Sequence, residues 1–305
     1  MPPRSPLPRR NGLDAAWVRT PDNLASSRDR WQTMGEFLRE RLPEVAPVVE
    51  MLQAGEFVDQ HGRAWHEQDP YRPNAFVWFH RPPAAEVPVP FDVPVLYADE
   101  RIVVVDKPHF LATTPRGVHV RETVVVRLRE SLGLPELAPA HRLDRLTAGV
   151  LVLTTRPQFR ASYATLFQSG AVRKVYEAIA PYDPAVEFPC QVHNRIEKRR
   201  GSLQAEVVAG QPNAETTIEL LETKGDLARY RLIPATGKTH QLRVHLAGLG
   251  LPIVGDPLYP VVQDNLGDDF ARPLQLVARR LGFADPYEAV SREFISQASL
   301  DWPAS

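Results

Sequence analysis

Five prolines crowd into one short stretch, RPPAAEVPVPFDVP, at positions 82, 83, 88, 90 and 94. Each proline lacks an amide hydrogen and fixes φ, so the stretch can enter neither a helix nor a central strand. Residues 82–92 therefore read as a linker, and they divide the chain. A small module is expected over residues 29–81 and a large domain over 93–305. Before the module, residues 1–28 read as a flexible arm, because Pro2, Pro3, Pro6 and Pro8 break regular structure while Arg4, Arg9 and Arg10 give positive charge. Such an arm suits contact with phosphates and equally suits a tail with no role.

In the module, Phe37, Leu38 and Leu42 recur at near-helical spacing before Pro43. Val45, Val48, Val49 and Leu52 form a second amphipathic stretch that stops at Gly55. Phe57-Val58 and Phe76 to Phe79 read as short strands, which would give two helices and a small hairpin. In the large domain, strands are expected at Ile102 to Val105, Val150 to Leu153, Val172 to Ala180, Val192 to Ile196, Leu203 to Val208, Thr216 to Leu221 and Tyr230 to Ile233. Helices are expected at Glu122 to Leu132, from Pro157 to a stop at Gly170, and at Thr239 to Leu246. Many strands with few helices and no βαβ alternation imply an α+β domain with a mostly antiparallel mixed sheet.

Of the 305 residues, 43% are hydrophobic, which is enough for a sizeable core, and the net charge of −1 leaves any basic face to be found locally. The single cysteine, Cys190, excludes an internal disulfide and fits a reducing cytoplasm. No apolar run approaches the roughly 20 residues that span a bilayer. The first residues lack the apolar region of a secretory signal, so a cytoplasmic protein is expected.

Three stretches carry candidate chemistry. HRLDRLTAGVLVL, from His141, sets Asp144 between Arg142 and Arg145, just before Gly149 and a strand. Flanking cations favour an ionised carboxylate suited to nucleophilic or base work; the same residues also fit a surface ion pair beside a turn. RKVYEAIA, from Arg173, puts Lys174 and Tyr176 on one strand face, where Tyr176 could stack on a base or simply fill the core. PATGKTHQLRVHLAGLGLPIVGDPLY, from Pro234, has a turn at Thr236-Gly237, with Thr239 as the expected helix cap. Its helix carries His240 and Arg243 on one face, within reach of a buried aspartate or merely solvated. Arg195, Lys198, Arg199 and Arg200 cluster around Gly201, in a turn that either contacts phosphates or is only hydrated. No metal-ligand spacing such as HExxH is present, Cys190 and His193 are too few to build a metal site, and no second carboxylate accompanies the motifs as a glycoside hydrolase would need.

Together the stretches resemble the RluA-type family of RNA pseudouridine synthases. HRLDRLTAG resembles the signature around the family's catalytic aspartate, which falls on Asp144. KVYEA resembles the element of its active-site tyrosine, which falls on Tyr176. TGKTHQLRVHL with GLPIVGDPLY resembles the C-terminal signature, whose aspartate-pairing arginine falls on Arg243. VVVDKPHFLATTP resembles the strand and loop that open the catalytic domain. Three positions depart from the pattern: Phe110 where glycine is usual, Ala148 where serine is common, and Lys238 where arginine is common.

The resemblance implies an isomerase that needs no cofactor and no metal and acts on structured RNA, ribosomal RNA ahead of transfer RNA. Asp144 would attack the ribose or take a proton from it. Tyr176 would stack on the uracil and remove the proton at its new attachment carbon, while Arg243 would pair with Asp144. Arg142 would fill the place of a flipped-out uridine. His141, Arg145, Lys174 and His240, with the cluster at 195–200, would contact RNA. The small module stands where relatives carry an alpha-L-type RNA-binding domain, although it lacks that domain's serine-arginine start to the second helix. A monomer without membrane attachment is expected, since RNA supplies the large interface. The competing reading is a non-catalytic RNA-binding protein or RNA chaperone.

Overall fold

The computed structural model describes residues 3–22, 30–42, 46–81, 86–264, 268–288 and 290–303. Residues 23–28 of the expected arm lie outside the described residues, as do Pro43, Val45, Pro82 and Pro83. The chain forms two units, Met1–Glu86 and Val87–Ser305, and the division falls within the proline-rich linker.

In the first unit, the Thr33 side chain accepts the Glu36 amide and the Glu36 carboxylate returns to the Thr33 amide. This reciprocal cap starts helix α1 (Met34–Arg41). α1 buries Met34, Phe37 and Leu38, and helix α2 (Val48–Gln53) buries Val48, Met51 and Leu52. Both share a core with Phe57, Trp65, Val77 and Phe79. The arm is not wholly flexible. Residues Ala16–Arg19 form strand β1, which pairs antiparallel with β2 (Phe76–Phe79). Ala16 and Val18 alternate onto the core while Trp17 and Arg19 face outward, the period-2 pattern of a half-buried strand. The hairpin expected from Phe57-Val58 is absent among the described residues; Val58 makes only single bridges to Ala64 and Trp78.

The second unit is built on an 11-stranded sheet. Its strands are β3 (Val95–Ala98), β4 (Ile102–Lys107), β5 (Ala138–Pro139), β6 (Ala148–Thr154), β7 (Arg173–Pro181), β8 (Cys190–Glu197), β9 (Glu206–Val208), β10 (Ala214–Lys224), β11 (Leu227–Pro234), β12 (Leu276–Ala284) and β13 (Ser291–Ile295). The order is β3-β4-β6-β12-β7-β11-β10-β8-β9, with β13 beside β12 and β5 beside β6. Among the described strands only β6 and β12 run parallel, so the sheet is mostly antiparallel, as the sequence implies.

β4 and β6 are buried along their whole length because both faces are covered. Val103, Val105, Leu151 and Leu153 face helix α3 (Val124–Ser131), and Ile102, Val104, Val150 and Val152 face helix α4 (Pro157–Gln168). Helix α5 (Gln241–Gly248) seats Leu242 and Leu246 on Ala178, Ile218, Tyr230 and Leu232. It starts later than expected, and Thr239 does not cap it. His240 is the N-cap, in a left-handed conformation with φ 58° and no side-chain cap. The turn is closed instead by Gln241, whose Oε1 accepts the Lys238 amide at 3.0 Å and the Thr236 hydroxyl at 2.8 Å. Among the described residues no helix is long and apolar enough to cross a membrane.

Candidate active site

Asp144 opens a tight turn between two segments of the sheet, with the Thr147 amide donating to its carbonyl at 3.0 Å. Three neighbouring carbonyls of this turn are held by side chains from the end of β4 and the segment after it. The Thr113 hydroxyl donates to Leu143 at 2.8 Å, Lys107 Nζ to Arg145 at 3.0 Å, and His109 Nδ1 to Leu146 at 2.7 Å. Four consecutive carbonyls are thus fixed. Lys107 is fully buried, and its Nζ also donates to Pro108 and Leu111, each at 2.8 Å. Three carbonyl acceptors match the three donors of an ammonium. Burial pushes its pKa down to about 7, opposed by the charge of Asp144. Two residues past the turn, Gly149 has φ 117°, and any Cβ there would overlap the backbone of Ala278 on β12; only glycine allows the parallel pair to form beside the aspartate.

The Asp144 side chain keeps 37% of its surface exposed and makes no hydrogen bond among the described residues. Tyr176 lies on β7 opposite Leu232, and it and Leu146 of the Asp144 turn border the same hydrophobic clusters. Burial and the nearby charge of Asp144 push its hydroxyl above the ordinary phenol range, so the resting hydroxyl is protonated.

Arg243 does not make the hydrogen bonds expected of it. Its guanidinium grips Asp256 through two contacts, Nε to Oδ2 at 2.8 Å and NH2 to Oδ1 at 2.6 Å, with both side chains nearly inaccessible. Burial opposes the charge, but the bonds to Asp256 outweigh it and hold the guanidinium above its usual range. Asp256 Oδ1 also accepts the amides of Leu258 and Tyr259 at 2.8 and 3.1 Å. Asp144 contributes to the field on Arg243 without a direct bond. The nearest basic side chain to pair with Asp144 is His240, with Nε2 at 4.0 Å from Oδ2.

The RNA pseudouridylate synthase family model matches residues 101–248, which include Asp144, Tyr176 and Arg243. An RNA pseudouridine synthase of Chloroflexus aurantiacus is 33% identical over 290 residues, covering 88% of this chain and 87% of that protein. This chain belongs to the RNA pseudouridine synthase family. It is thus an isomerase acting on uridine in RNA. tRNA pseudouridine synthase C of Vibrio cholerae is 31% identical over 224 residues, covering 68% of this chain and 91% of the relative. Human RNA Pseudouridylate Synthase Domain Containing 1 shares the fold, with a TM-score of 0.55 at 23% identity over 70% of this chain and 86% of the other.

Several residues expected to touch RNA have partners within the synthase. His141 stacks on Phe167, with ring centroids 4.1 Å apart, and its Nε2 accepts the Val152 amide at 3.2 Å. Burial drives its pKa down to about 3, so it is a neutral packing residue. Arg145 NH1 pairs with Asp268 at 2.6 Å. Lys174 donates to the Thr236 carbonyl at 3.1 Å, and burial lowers its pKa. Arg195 pairs with Glu197 at 2.9 Å. Glu197 lies two residues on in the same strand as Arg195, whereas the partners of His141, Arg145 and Lys174 lie farther along the chain, where the linear sequence does not reveal them.

Other expected contacts stay available. Arg142 is exposed beside the turn and makes no ion pair among the described residues. Arg199 and Arg200 are exposed on the connection between β8 and β9; Lys198 donates to the Ser202 carbonyl at 2.6 Å and feels the charges of Arg116, Arg243 and Asp144. Lys107, His109, Thr113 and Asp256 were not anticipated as site residues, although VVVDKPHFLATTP and GDPLY contain them. Their signal was a buried polar side chain, and burial is not visible in one sequence. Among the described residues no three His, Cys, Asp or Glu side chains converge as metal ligands.

Proposed function

We propose that Asp144 is the catalytic carboxylate of this synthase and that transfer RNA is the substrate class to test first. The observation that carries the reading is the contrast at Asp144: its backbone is fixed at four consecutive carbonyls while its carboxylate is exposed and unbonded among the described residues. A fixed backbone with a free carboxylate is preorganised for a partner that arrives from outside. The reaction breaks the bond from the anomeric carbon to the uracil nitrogen, rotates the base, and joins the same carbon to a ring carbon. That ring carbon loses a proton and the nitrogen gains one, so no atom is added or removed. Asp144 acts as nucleophile at the anomeric carbon or as base at the neighbouring ribose carbon, and either role needs a free carboxylate. Tyr176 stacks on the uracil and presents its hydroxyl to it.

The target uridine has to leave its stack, at a cost of a few kcal/mol that is least in loops. Arg142, exposed next to the turn, fills the vacated place, and Lys198, Arg199 and Arg200 hold phosphates. The likeness to a Vibrio cholerae enzyme named for transfer RNA favours that substrate. The expectation of ribosomal RNA rested on an alpha-L-type reading of residues 29–81. That reading loses support because β2 takes its partner from the arm, outside the segment in question.

Pseudouridine mapping across all RNA, in cells carrying wild type or Asp144→Ala, tests both parts. One or a few transfer-RNA uridines should lose the modification. Loss confined to ribosomal RNA would remove the substrate reading and leave the catalytic one. No loss at any site would remove Asp144 as the catalytic residue and favour a protein that only binds RNA.

A further inference from the structure

We propose that His240 is a positioning residue for Asp144, donating from Nε2 to the carboxylate while Tyr259 holds its other ring nitrogen. The inference rests on the reading of Asp144 as the catalytic carboxylate. Its first ground is backbone cost. His240 sits at φ 58°, a conformation that disfavours L-residues by roughly 1–2 kcal/mol. Glycine would satisfy the turn without that cost and asparagine with less of it. A histidine kept there is wanted for its side chain, since strain of this kind gathers at functional sites.

The second ground is the chain of contacts behind the ring. His240 Nδ1 lies 3.0 Å from the Tyr259 hydroxyl, which accepts the Ala205 amide at 2.6 Å and lies 3.1 Å from the Ala205 carbonyl. The Tyr259 backbone is held by Asp256, and the Arg243 guanidinium lies over its ring at 5.2 Å. The Arg243–Asp256 pair therefore supports Tyr259, and Tyr259 supports His240. The C-terminal signature reaches Asp144 through this relay instead of through a direct arginine–aspartate bond.

The third ground is tautomer choice. Nε2 is 4.0 Å from Asp144 Oδ2, and a carboxylate at that distance favours the tautomer with its proton on Nε2. Nδ1 is then an acceptor, and the one Tyr259 proton is directed to it at 3.0 Å rather than to the Ala205 carbonyl at 3.1 Å, while the hydroxyl still accepts the Ala205 amide. The separation is longer than a hydrogen bond, and catalytic contacts commonly tighten once substrate is bound. Burial holds the imidazole below its usual pKa against the pull of Asp144. A neutral donor orients the carboxylate without neutralising it, as a cation in the same place would. With its side chain only 12% exposed, His240 is poorly placed as a phosphate contact.

The test uses the full chain and the RNA whose uridine depends on Asp144 in the mapping experiment. His240→Asn tolerates the left-handed backbone but falls short of Asp144, whereas His240→Gln can place an N–H near the position of Nε2. At saturating RNA, the asparagine variant should lose about ten- to a hundredfold in single-turnover rate, the range for a hydrogen bond to a charged group. RNA affinity and melting temperature should stay near wild type, and glutamine should restore part of the rate. An unchanged rate in the asparagine variant overturns the inference and leaves Asp144 catalytic. Weakened RNA binding with an unchanged saturating rate also overturns it, making His240 an RNA contact. Equal losses in both variants overturn it too, because the imidazole would then act by packing alone. A wild-type protein that converts no uridine in total RNA sinks the reading of Asp144, and this inference with it.

Discussion

Tyr176 and Asp144 are coupled through charge: a tyrosinate beside the carboxylate would be repelled by it and lacks water to stabilise it. The hydroxyl is protonated at rest and meets the substrate as a hydrogen-bond donor. Tyr176→Phe keeps the stacking ring and removes the hydroxyl. Its expected effect is a single-turnover loss of about a hundredfold or more, in the range of general acid–base groups, with RNA affinity within about twofold of wild type. A rate close to wild type would reduce Tyr176 to a stacking surface. Phe110 stands where the resembled pattern usually has glycine. It occupies φ 65°, the conformation that a glycine adopts freely. Its ring is buried against Phe270, 5.1 Å between centroids, and lies 6.4 Å from Phe91. Burying an aromatic ring yields roughly 2–3 kcal/mol, enough to offset the roughly 1–2 kcal/mol of the left-handed backbone.

At the scale of elements, the connection between β8 and β9 carries three exposed cations, Lys198, Arg199 and Arg200, with no ion pair among the described residues. Of the four cations expected there, Arg195 pairs with Glu197, and Lys198, Arg199 and Arg200 are the ones on which the proposed phosphate contact rests. Replacing these three with alanine should weaken RNA binding and flatten the plot of log affinity against log salt. Each lost phosphate contact removes roughly 0.7–0.9 from that slope. Filter binding at several salt concentrations measures it, and an unchanged slope would return the hairpin to a hydrated turn. The connection is anchored apart from these cations: the Gln204 side chain donates to the Leu258 carbonyl, and Ala205 is held by Tyr259. The triple variant should therefore fold normally.

Across the whole molecule, burial holds His109, His141 and His245 neutral, as it does His240. His109 and His245 are pushed down to about 4 and His141 to about 3, against an ordinary value of 6.5. His245 bridges Thr216 at 2.9 Å and Asn194 at 3.0 Å, tying α5 to β10 and β8. Below pH 6.5 the unfolded chain binds protons at these positions and the native state does not, so unfolding is favoured as pH falls. Each histidine contributes up to about 1.4 kcal/mol per pH unit, with the loss accruing from pH 6.5 to 4 and continuing to 3 for His141. Melting temperature should fall steadily across that window, and a flat profile between pH 6.5 and 4 would show these rings to be protonated in the native state.

The strand runs at β4, β6, β7, β10 and β11 were legible in sequence because apolar, β-branched segments announce themselves locally. The catalytic motifs were legible because Asp144, Tyr176 and Arg243 sit in short, recognisable strings. β12 was not: Arg279 and Arg280 interrupt its apolar pattern, and Arg279 is accommodated by Glu177 on β7, 3.1 Å away, and by the Ser296 and Ala298 carbonyls, each at 2.8 Å. β1 was hidden by the prolines before it, since its alternation matters only once β2 and the α1–α2 core lie beside it. The sequence by itself determined the family motifs and most of the large domain's strands, since both depend on composition within a few neighbours. The tertiary structure alone decided their partners: Arg243 with Asp256, Lys107 with the Asp144 turn, His240 with Tyr259. Those choices depend on which side chains are buried together across long separations in the chain, and buried polar groups must find their hydrogen bonds there.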